Sequence, residues 1–112
     1  MIKSTERDFE KFKTECLKWI NDLQLNDWDC VFVLEDIPDA NARVRFQKGT
    51  RKATFRLAQE RDGYESVEDS AKHECLELLL ADMTILLAGF YADAYIDDET
   101  HRVINKLMRV IK

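Results

Sequence analysis

Apolar side chains at Phe9, Phe12, Cys16, Trp19, Ile20 and Leu23 recur at steps of three and four, the spacing that lines one face of an α-helix. Ser4 or Thr5 stands where an N-cap belongs, so a helix over residues 5 to 24 is expected. Trp28 to Leu34 is short, apolar and rich in β-branched and aromatic residues, which reads as a buried strand. Pro38, the only proline, then breaks the chain. Beyond it Ala42, Val44 and Phe46 alternate with Arg43, Arg45 and Gln47. After Lys48-Gly49-Thr50, a second alternation sets Ala53, Phe55 and Leu57 against Thr54 and Arg56. Two period-two runs around a short polar turn predict a β-hairpin.

A polar loop with Gly63 follows, and Ser66 or Ser70 can cap the next helix. From Val67 to about Tyr91 the residues Leu76, Leu78, Leu79, Leu80, Ala81, Met83, Ile85, Leu86, Leu87 and Phe90 predict one long central helix, apolar on nearly every side in its second half. Asp82, Thr84 and an acidic start argue against a membrane span. Gly89 weakens this helix, and Asp97-Asp98-Glu99 reads as the acidic start of a last one whose face is Val103, Ile104, Leu107, Met108 and Ile111. The segment from Tyr91 to Asp98 has no secure assignment. The order of helix, three strands, helix, helix places the chain in the α+β class, as one domain over residues 1 to 112.

Composition narrows the function classes. A formal charge of -5 argues against general binding to a phosphate backbone, so no nucleic-acid partner is expected. Arg43, Arg45 and Arg56 share the polar face of the hairpin, where a solvated sheet face commonly carries long charged side chains. No apolar run follows the first residues, so neither a signal nor an anchor is expected and the cytoplasm is the expected compartment. Three cysteines at wide spacing fit reduced thiols, with Cys16, Cys30 and Cys75 as packing residues. Trp19 and Trp28 read as core or rim aromatics.

The chemistry sits at His73-Glu74-Cys75-Leu76-Glu77, one substitution from the metallohydrolase signature H-E-x-x-H. Residues four apart stack on one helix face, so His73 and Glu77 can address the same point while Glu74 reaches a water held there as general base. A carboxylate oxygen is an allowed zinc ligand, which keeps Glu77 admissible. The third ligand must come from further along. Glu99 is the first choice and His101, two residues on and facing the opposite side, the second. Cys75 is two residues from His73 and points elsewhere, which speaks against a Cys-His nucleophile pair.

The element order, together with Asp27-Trp28 opening the first strand, Ala71-Lys72-His73-Glu74 leading into the motif and Glu99-Thr100-His101-Arg102 near the last helix, resembles the minimal core of zincin-type metallopeptidases. It is similar above all to small phage- and prophage-encoded metallopeptidase-like proteins. The resemblance implies a metal-dependent hydrolase, with His73 and Glu99 as metal ligands, Glu74 as general base, and Glu77 where a histidine normally stands. Zinc is the metal it implies. Two carboxylates and one imidazole would neutralise the ion and acidify a bound water less, and they would favour manganese, iron or magnesium.

Two other readings remain. An inactive accessory protein could keep the scaffold and bind a protein or peptide partner through its acidic surface. A homo-oligomer could bury the Leu-rich helix against a copy of itself. Without a metal, His73, Glu74 and Glu77 read as a solvated first stretch of helix, and His101 as a cap or surface residue paired with Asp97 or Asp98.

Overall fold

The computed structural model describes residues Met1 to Lys112 and shows an α+β protein. Its elements are β1 (Ile2–Lys3), α1 (Glu6–Asp22), β2 (Asp29–Glu35), β3 (Ala42–Gln47), β4 (Lys52–Ala58), β5 (Glu60–Arg61), α2 (Val67–Leu79), α3 (Ala81–Leu87) and α4 (Asp93–Val110). No helix is long and apolar enough to cross a membrane.

Local chemistry explains the helix ends. Thr5 caps α1 in a capping box: its hydroxyl accepts from the Asp8 N–H at 3.1 Å, and the Asp8 carboxylate accepts from the Thr5 N–H at 2.9 Å. At the other end Leu25 N–H reaches the Ile20 carbonyl at 2.8 Å and Gln24 N–H the Asn21 carbonyl at 3.2 Å. This is a Schellman closure, with Gln24 in the left-handed region at φ 58°. Buried Ile20 and Leu25 flank it. Ser66 caps α2 through the Asp69 N–H.

The three-stranded sheet has the order β2-β4-β3, with β2 parallel and β3 antiparallel to the central β4. Ala53, Phe55 and Leu57 of β4 are fully buried against Phe12, Cys16, Trp19 and Ile20 of α1 and Val67, Ala71, Cys75 and Leu78 of α2. Phe32 stacks on Phe55 at 5.4 Å. On the other sheet face Arg43 pairs with Asp39 and Arg56 with Glu35, both at 2.8 Å, Arg45 is exposed, and β2 adds Val31 and Val33. Of the hairpin arginines, Arg43 and Arg45 are thus exposed, whereas Arg56 is largely covered, its side chain 18% exposed. A separate two-stranded sheet joins β1 to β5, tied down by buried Arg61, whose Nε donates to the Ser4 hydroxyl at 2.7 Å.

Two sequence expectations are corrected. The helix predicted from Val67 to Tyr91 is two helices meeting at Leu80. Leu76, Leu78 and Ala81 enter the core, whereas Met83, Leu86, Phe90 and Tyr91 lie exposed. Asp82, in the first turn of α3, is held outward by Arg51 at 2.7 Å. Arg51 also pairs with Asp27 and stacks 3.8 Å from the Trp28 ring. The second correction is the start of the last helix, which begins at Asp93. Asp97, Asp98 and Glu99 therefore sit inside α4 and do not cap it.

Candidate metal centre

Chain direction brings α2, α4 and the open edge of β3 together. Ala58 N–H bonds the Asn41 carbonyl at 2.8 Å, which sets the phase of the β3–β4 ladder. In that alternation Arg43, Arg45 and Gln47 exchange bonds with β4, while Ala42, Val44 and Phe46 direct their backbone groups out of the edge. α2 runs beside this edge, with His73, Glu74 and Glu77 lining a cavity of about 370 Å³ together with Ala42, Asp97 and His101.

One ligand atom from each of His73, Glu77 and His101 lies within 4.8 Å of the other two. His73 and Glu77 stack on one face of α2 because they are four residues apart. His101 comes from α4, its ring centroid 5.7 Å from that of His73 and its Nε2 3.7 Å from a Glu77 oxygen. A four-coordinate zinc with bonds near 2.1 Å spaces its ligand atoms roughly 3.4 Å apart, so the trio, spread within 4.8 Å, would have to draw together to hold one.

The hydrogen bonding of His101 tests whether a cation fits. Its Nδ1 stands 2.8 Å from the Asp97 carbonyl oxygen and 3.4 Å from the Asp97 carboxylate. Both partners only accept, so Nδ1 carries hydrogen and donates. In the neutral ring Nε2 then presents a lone pair to the Glu77 carboxylate. Two acceptors facing each other at 3.7 Å leave a gap that a cation or a bridging water can fill. Asp97 makes the kind of outer contact with His101 that, in metal sites, orients a ligating imidazole.

Glu74 differs from its neighbours. It is only 6% exposed, and its Oε1 has no hydrogen-bond partner. Burial above all, and then the Glu77 carboxylate beside it, raise its carboxyl well above the usual range, with the outward Val44 N–H opposing more weakly. This is the direction in which a carboxylate becomes a better proton acceptor. The expectation of a fully solvated stretch is therefore corrected at Glu74, which β3 covers.

The placement of the third residue also differs from the first expectation. Glu99 is two-thirds exposed, faces Arg102 at 3.8 Å, and lies away from His73 and Glu77. The structure brings His101 to them instead, so the donor set holds two imidazoles and one carboxylate rather than two carboxylates. His101 does pair with Asp97, and also reaches Glu77. Cys75 is fully buried, its thiol directed at the Cys16 carbonyl, and is no neighbour of the cavity.

A feature absent from the sequence reading is a cleft of about 610 Å³ adjoining the trio. It shares Glu77 and Asp97 with the first cavity and is lined by Val44, Phe46, Ile85, Ala88 and Ile96. No single run announces it, because β3, α3 and α4 each contribute only one wall. Comparison of the chain with protein-family models, curated proteins and solved structures returns no match.

Proposed function

We propose that this protein is a metal-dependent hydrolase of metallopeptidase-like type, with His73, Glu77 and His101 holding a divalent metal and Glu74 acting as general base. The observation that carries the reading is the buried, unpartnered Glu74 oxygen beside three converging metal-ligand side chains. A metal bound there supplies a Lewis acid that polarises a substrate carbonyl and acidifies water. Two imidazoles and one carboxylate would leave a bound zinc with net positive charge; this donor set serves zinc peptidases and ferrous sites alike, and its nitrogen content favours zinc or iron over magnesium.

The chain's own residues do the rest. Asp97 holds the His101 ring through its carbonyl oxygen, and the β3 edge covers Glu74. Glu74 takes the proton of an attacking water and returns it to the departing amine nitrogen. The adjoining cleft is large enough for part of a peptide, and its lining sets apolar Val44, Phe46, Ile85 and Ile96 beside the carboxylates of Glu77, Asp93 and Asp97. Resemblance to the phage and prophage metallopeptidase-like proteins supports the same reaction class.

Protein purified without chelator should carry about one equivalent of divalent metal. Glu74→Gln should abolish hydrolysis and keep the metal, whereas His101→Ala should lose the metal and Glu99→Gln should not. Metal-free protein whose melting temperature is unmoved by zinc, manganese or iron would remove the proposal. The reading left standing is then an interaction protein, favoured by the exposed apolar side chains Met83, Leu86, Phe90, Tyr91 and Tyr95 around the α3–α4 turn.

A further inference from the structure

α4 carries His101, yet of its 18 residues only Ile104 is buried. Leu107, Met108 and Ile111 are partly covered. Ile104 is thus the one fully buried apolar anchor of this helix and its natural pivot, while Ile111, just past its end, packs partly against the core. A second attachment lies at its C-terminal end. Lys72 of α2, next to His73, is only 9% exposed, and its ammonium donates to the carbonyls of Met108, at 2.9 Å, and Ile111. These carbonyls end the helix, where no following N–H bonds them, and a cation there also meets the negative end of the helix dipole. Trp19 of α1 closes the other side, its ring centroid 5.4 Å from the ammonium.

We propose that Lys72 is a positioning residue. By clamping the last turn of α4 to α2 it sets the tilt of α4 and holds His101 within reach of His73 and Glu77. Its functional meaning rests on the metal-centre reading, but its geometry can be tested without metal. His101 lies about one turn, roughly 4.5 Å, from the Ile104 pivot. A tilt of roughly 15° therefore shifts it by about 1 Å, several times the ~0.2 Å that a metal ligand tolerates.

The test compares the full chain with Lys72→Met, Lys72→Arg and a core variant that leaves Lys72 and its carbonyl partners in place, Ile20→Ala. Cobalt or zinc titration at a temperature where all are folded reads the site. Nuclear Overhauser contact between the His73 and His101 rings, measured in chelator, reads the geometry alone. Lys72→Met should bind metal roughly 10- to 100-fold more weakly and lose the ring contact, with the β2–β4 amide signals unchanged. Lys72→Arg, which keeps a cation and donors for the same carbonyls, should recover most of the affinity. Ile20→Ala should melt earlier and bind normally, which separates positioning from general stability. If Lys72→Met does not fold, Lys72→Gln takes its place. Wild-type affinity and an intact ring contact in the Met or Gln variant would overturn the proposal. Should the wild-type chain take up no metal, the metal reading falls, and loss or retention of the ring contact still decides the role of Lys72.

Discussion

Replacing Glu74 by Gln should stabilise the metal-free protein at neutral pH, although it changes a residue inside a packed wall of the fold. Glu74 is 6% exposed, has an oxygen without a partner, and titrates well above the ordinary carboxyl range because of burial and the adjacent Glu77. In the unfolded chain it ionises near pH 4.3. Between that pH and the raised folded value the unfolded state has released a proton that the folded state still holds. Stability is therefore lost as pH rises through this window, at about 1.4 kcal/mol per pH unit. Above the folded value the loss levels off. Gln has nearly the same shape and no proton to lose, so the variant escapes this loss. Against a typical total stability of about 5–15 kcal/mol, a window of even one unit is measurable.

Urea unfolding followed by the fluorescence of Trp19 and Trp28, in chelator and from about pH 4 to pH 8, supplies the assay. The two proteins should match near the acid end and diverge upward, and the plateau divided by the slope gives the rise of the folded Glu74 pKa above its unfolded value. Glu77→Gln should narrow the window, because Glu77 is the second cause of the shift, and the two changes should be non-additive. Curves that stay parallel above pH 4.3, or a Gln variant less stable at neutral pH, would refute the description of Glu74 as a buried, strained carboxyl.

Further predictions follow from the helix ends and the core. Gln24→Gly should raise stability by about 0.5–1 kcal/mol in thermal or urea unfolding, because Gln24 holds a left-handed φ of 58° that glycine adopts freely. The Thr5 N–H bonded to Asp8 holds that carboxyl below its ordinary value. Its contribution is present above the unfolded pKa near 3.9 and is lost as pH falls through the depressed folded one. Asp8→Asn should therefore cost stability at neutral pH, with the gap to wild type closing in acid titration. Phe55→Ala, at a fully buried position stacked on Phe32, should cost about 3–5 kcal/mol.

Much of this fold is written in local pattern. The three-and-four spacing from Phe9 to Leu23, the paired alternations around Gly49, and the caps at Thr5 and Ser66 each depend on residues within a turn or two of one another, and the structure places α1, the β3–β4 hairpin and the start of α2 accordingly. The i, i+4 relation of His73 and Glu77 is local too, so the sharing of one helix face was legible from the chain alone. Only the tertiary structure decided which third residue meets them. Taking Asp97-Asp98-Glu99 as a helix start hid the fact that α4 begins at Asp93, and the apolar phase of that helix held the answer. His101 is three residues before buried Ile104 and hence near its face, whereas Glu99, five before it, points well away. Likewise, an apolar run such as Leu76 to Phe90 cannot disclose where it will bend, because every side of it is suitable for burial. The choice between core and surface was made by what the sheet and α1 had already filled. Glu74 shows the same division: its place in the motif is sequence, while its burial, its missing partner and its raised pKa belong to the β3 edge that folds over it.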